Sequence, residues 1–99
     1  MGLTDEARSY LESNIDMMLS DPDWWERNIS NLLQRQGIEA TLETILSYIS
    51  GMLGGHVDGF YQSHYSRKIT NDEWLEFDQI MKRRAWEIRQ AFISTRIKE

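Results

Sequence analysis

The chain predicts an all-α fold, a compact bundle of about four helices over residues 4–20, 22–36, 39–65 and 71–97. Three observations lead there. Apolar side chains return at steps of three and four residues along nearly the whole chain, which is helical spacing. No run alternates polar and apolar residues for long enough to make a strand. Residues suited to starting or stopping a helix, Thr4, Asp21-Pro22, Gly37 and Thr70, stand at the interruptions.

The first helix starts at Thr4, whose hydroxyl can cap it, with Asp5 and Glu6 near the positive end of the dipole. Leu3, Ala7, Tyr10, Leu11, Ile15, Met18 and Leu19 form its apolar face. Ser20-Asp21-Pro22 ends it and starts the second, with Asp21 as cap, Pro22 at the first helical position and Asp23 and Glu26 in support. The second helix should bury Trp25, Ile29, Leu32, Leu33 and Gln36, leave Trp24 off that stripe, and stop at Gly37 in a left-handed conformation.

The third helix begins between Ile38 and Thr41 and carries Leu42, Ile45, Leu46, Ile49, Met52, Leu53, Phe60 and Tyr61 in register. Gly51, Gly54, Gly55 and Gly59 each cost about 0.8–1 kcal/mol relative to alanine inside a helix. The segment is therefore one helix with a weak middle, or a helix ending at Leu53 or Gly54 with a new start at Asp58. In the fourth, Thr70-Asn71-Asp72-Glu73 reads as a capping box. Trp74, Phe77, Ile80, Met81, Ala85, Ile88, Ala91 and Phe92 make its core face, and Leu75, Trp86, Ile93 and Ile97 a second apolar line on another side.

Composition places these helices in one domain, without low-complexity segments. With no cysteine, disulfides and thiolate metal sites are excluded, which suits a reducing, cytoplasmic setting. No secretion signal is read at the amino terminus, and the longest apolar stretch, 45–60, is broken by serines, glycines, His56 and Asp58, so no membrane partner is expected. The net charge of −5 is uneven: residues 1–64 carry three basic groups against ten acids, and residues 65–99 eight against six. That asymmetry fits attraction within the fold or toward a partner. Lys82, Arg83, Arg84 and Arg89 are spread round their helix among acids, as on a solvated face, and do not form the concentrated stripe that nucleic acid needs.

No catalytic, cofactor or metal site is expected. His56 and His64 lie eight residues apart, about 12 Å along a helix, too far to share an ion unaided. His64 is expected in a half-buried aromatic group with Phe60, Tyr61 and Tyr65. Gly51-Met52-Leu53-Gly54-Gly55 lacks the Lys-Ser/Thr of a phosphate loop.

The chemistry points to a non-enzymatic protein-binding module, a regulator, adaptor or inhibitor, that forms a homodimer. Trp24, Leu75, Trp86, Ile93 and Ile97 are the expected contact residues, because aromatic and large apolar side chains off the core faces dominate interface energetics. Gly51, Gly55 and Gly59, continued by Ser47 and Ser63, form a strip of small residues suited to a close backbone crossing, either inside the fold or between two copies. Two other readings compete. One is a small enzyme or ligand binder with a pocket between the third and fourth helices, using His56, His64, Tyr61, Tyr65 and Arg84. The other is an acidic surface of Asp5, Glu6, Glu12, Asp16, Asp21, Asp23 and Glu26 that competes for a nucleic-acid-binding protein.

Overall fold

A computed structural model describes the backbone of residues 2–97 and the side chains of residues 2–95. Four helices follow one another: α1 (Asp5–Ser20), α2 (Pro22–Arg35), α3 (Leu42–Tyr65) and α4 (Asn71–Ile97), with no strand among the described residues. Each boundary has a local cause. The Thr4 hydroxyl accepts from the Ala7 amide at 3.2 Å, and Asp21 ends α1 while its carboxylate accepts from the Trp24 amide at the start of α2. Helix α2 closes on Gly37, at φ 77°, where the Ile38 amide reaches back to Leu33 and the Gly37 amide to Gln34. That left-handed conformation needs glycine.

Helix α3 is unbroken through all four of its glycines, so the reading with a break near Gly54 does not hold. It starts later than position 39, because Thr41 and Thr44 cap it reciprocally and leave 39–41 outside. Thr70 and Glu73 form the expected box on α4: the Glu73 amide donates to the Thr70 hydroxyl at 3.2 Å and the Thr70 amide to the Glu73 carboxylate at 2.8 Å.

Helix α1 packs chiefly on α3, and α2 on α4, with α3 and α4 also in contact. Ion pairs fix the direction of α1 beside α4. Arg8 bonds Glu76 near the start of both helices, and Arg84 bonds Glu12 and Asp16 further along both, so the two run in the same sense. The core between them includes Leu11, Ile15, Ile45, Leu53, Val57, Tyr61 and Phe92, all essentially closed to water. Some expected core positions lie nearer the surface. Gln36 is exposed because α2 stops at Arg35, Trp25 and Trp74 are half-buried, and Ala85 is exposed beside a gap between α3 and α4.

The start of the chain is fastened to α4. The Leu3 amide donates to Glu76 at 2.7 Å, Arg8 bonds the same carboxylate and the Leu3 carbonyl, and a Cβ on Gly2 would stand 2.0 Å from Glu76 Oε1. A second tie joins α1, α3 and α4. The Thr4 amide donates to the Tyr61 hydroxyl at 3.0 Å, Arg67 lies over the Tyr61 ring at 4.9 Å, and Arg67 holds Glu73 through two bonds of 2.8 Å.

The Arg67 guanidinium, aided by the Thr70 amide, holds the Glu73 carboxyl down to about 2 from its ordinary 4.5. The folded pKa lies below the unfolded one, so this contribution to stability is complete above pH 4.5 and is lost as pH falls toward 2. Arg8 holds Glu76 below its usual range in the same direction. Urea midpoints measured from pH 6 to pH 2 are expected to fall across that window, and Glu73→Gln to flatten the fall. An equal slope in both proteins would contradict the assignment.

Candidate functional site

Helix α4 buries Glu73, Phe77, Ile80, Ile88 and Phe92 on one side. At about 100° per residue, Leu75, Trp86, Ile93 and Ile97 fall within about 40° of a line on the opposite side. Trp86 is 70% exposed and Leu75 59% exposed, the two most open large apolar side chains among the described residues. Ile93 is half-buried, and the side chain of Ile97 lies outside the described residues. Leu75 and Trp86 are eleven residues apart, about 16 Å along the axis, so they are two separate anchors on one outward face. Trp24 is 45% exposed on α2, its ring edge-on to Trp25 at 4.9 Å. Met17 and Ile38 are also exposed, though their sequence context did not mark them for a surface.

Beside Trp86 lies an apolar groove of about 260 Å³ between α3 and α4. Leu46, Ile49 and Ser50 form one wall, Met81, Ala85 and Ile88 the other, with Lys82 and Arg89 at the α4 rim. The sequence signal for it is small residues on both helices, Ser50 and Ala85, at positions where bulky neighbours leave space unfilled. Arg89 is drawn toward α3 by Glu43 at 2.9 Å.

The groove does not contain the residues expected of a pocket between α3 and α4. His56 and His64 line a shallow depression with Tyr10 of α1, Tyr61 is buried beneath Arg67, and Arg84 is held by Glu12, Asp16 and Glu87. Tyr65 lies 5.2 Å from the Tyr61 ring and 6.3 Å from that of His64, so these three share the expected aromatic group with Phe60, while His56 and Arg84 do not join them. His64 is exposed where half-burial was expected, its ring stacked on Phe60 at 3.9 Å. Among the described residues, no three His, Cys, Asp or Glu side chains are grouped so as to hold a metal ion.

The glycine strip faces outward. Ser47, Gly51, Gly55, Gly59 and Ser63 are all exposed, and a Cβ on Gly51, Gly55 or Gly59 would meet nothing within 4 Å. Among the described residues, no close crossing is made at these glycines.

The expected acidic surface is partly consumed by the fold. Glu12 and Asp16 meet Arg84, Glu12 also meets Arg83, Asp5 pairs with Arg8, and Glu26 is buried. Burial works to raise the Glu12 pKa, yet bonds from Arg84 and Arg83 bring it below the ordinary carboxylate value. The Arg84 side chain is only 11% exposed, so it is an interhelical clamp and not part of a solvated face. The charge asymmetry along the sequence thus works inside the fold, where arginines of α4 meet acids of α1 and α3. No helix among the described residues is long and apolar enough to cross a membrane. No protein-family model matches the chain, and no curated protein or solved structure matches it either.

Proposed function

We propose that the chain is a protein-binding module, a regulator, adaptor or inhibitor without catalysis of its own, and that it engages its partner through the outer face of α4. One observation carries this reading: Trp86 stands 70% exposed on the side of α4 directly opposite its core stripe. Covering roughly 150 Å² of such a ring, at about 25 cal/mol per Å², is worth about 4 kcal/mol that the isolated chain does not realise. Leu75 extends the same face, and aromatic anchors of this kind carry most of the energy of many interfaces.

Trp86→Ala with Leu75→Ala tests the reading. Both side chains are mainly in water, so the double variant is expected to keep the unfolding free energy to within about 0.5 kcal/mol per site. Proteins retained by the immobilised wild-type chain from its source cell should be lost from the variant. Retention of the same proteins at the same level by both would remove α4 from the contact.

A further inference from the structure

We infer that the partner of this face is a second copy of the chain, each copy seating its Trp86 in the groove between α3 and α4 of the other. The inference rests on the reading of the outer face of α4 as a contact surface and names its occupant.

Knob and socket stand side by side. Lys82 and Arg89, four residues before and three after Trp86, are its neighbours on the helix surface and also form the α4 rim of the groove. A two-fold axis passing between the two features exchanges them, so one operation fills both grooves and covers both indoles. A foreign partner would have to supply a matching knob and a matching socket separately. At about 260 Å³ the groove falls below the roughly 300–1,000 Å³ usual for small-molecule sites, which suits one large side chain better than a drug-sized ligand.

Its chemistry suits an indole. Leu46, Ile49, Met81 and Ile88 supply apolar walls, the Ser50 hydroxyl offers an acceptor for the ring N–H, and Lys82 and Arg89 can border the ring as cations. Each protomer would bury its own Trp86, about 150–250 Å² for a whole tryptophan, and a comparable area of groove wall. That is roughly half of the about 800 Å² per partner of a standard interface, with Leu75 and the polar surroundings adding to it. The expected assembly is a concentration-dependent dimer in exchange with monomer.

Sedimentation velocity from micromolar to millimolar concentration tests this with three proteins: wild type, Trp86→Ala, which removes the knob, and Ala85→Arg, which blocks the socket. Both altered positions are exposed, and far-ultraviolet dichroism checks that the fold persists. Wild type should dimerise, and each variant alone should dimerise at least about 30-fold more weakly. An equimolar mixture of the two variants should associate more tightly than either alone, because the intact Trp86 of one still fits the intact groove of the other. A wild type that stays monomeric overturns the inference, and loss of a foreign partner by Trp86→Ala would then leave the broader reading of α4 standing. A dimer indifferent to Trp86→Ala places the contact elsewhere. A mixture no tighter than its components replaces the reciprocal seating by a Trp86-to-Trp86 contact and overturns it equally.

Discussion

Tyr61→Ala is expected to lower the unfolding free energy by about 4 kcal/mol, within the roughly 3–5 kcal/mol seen when a buried aromatic is cut to alanine. The side chain is fully buried, its hydroxyl accepts from the Thr4 amide at 3.0 Å, and its ring lies beneath Arg67. Truncation opens a cavity between α1 and α3, leaves the Thr4 amide without its acceptor, and removes the surface on which Arg67 rests while holding Glu73. A chain of this size has about 5–15 kcal/mol in total, so the variant should lose a large fraction of its stability. Tyr61→Phe separates the two contributions: it keeps the packing and should cost only about 1–2 kcal/mol for the lost hydrogen bond. Urea denaturation of the three proteins measures both differences. A cost below about 1.5 kcal/mol for Tyr61→Ala would show that the joint between α1, α3 and α4 does not depend on this ring.

The parts of this fold that were legible in the sequence are those decided within a few residues. Thr4, Asp21-Pro22, Gly37 and the pair Thr70 and Glu73 each act on a backbone group no more than three positions away, and each does so as their spacing implies. Thr41 with Thr44 is the same device in a less familiar pairing, which is why the start of α3 moves from 39 to Leu42. The ties across the fold could not be read in that way. Arg84 finds its acids 68 and 72 residues away, and Glu76 finds Leu3 73 residues away, and only the packing of helices decides which charges meet. The candidate site was half legible. The line through Leu75, Trp86 and Ile93 follows from helical spacing alone, whereas the groove beside it depends on how far apart α3 and α4 settle.

The glycine strip was decidable from the sequence by one further step. Ser47, Gly51, Gly55, Gly59 and Ser63 each follow by two residues a buried member of α3: Ile45, Ile49, Leu53, Val57 and Tyr61. Two residues turn a helix by about 200°, so a strip repeating every four residues stays opposite a core stripe that repeats every four. The expected core register of α3 passed over Val57, and without it the buried stripe has a gap between Leu53 and Tyr61 that leaves an inward path for the glycines.

The outward position of that strip makes the joint substitution Gly51→Ala, Gly55→Ala and Gly59→Ala a stabilising change. Each site is inside an unbroken helix and exposed, and a new Cβ there would meet no atom of the described residues within 4 Å. The unfolded chain loses backbone freedom when glycine becomes alanine, and the folded chain has no steric penalty to set against that gain, so each site should contribute about 0.5–1 kcal/mol. Together they should raise the unfolding free energy by about 2 kcal/mol, which for about a hundred residues is a rise in melting temperature of roughly 10 °C. Scanning calorimetry on monomeric protein reads it directly. The sign discriminates sharply, because a backbone crossing anywhere along the strip would turn the same three methyl groups into clashes and lower the melting temperature. The glycines thus weaken the isolated helix without serving any contact that the described residues make with one another.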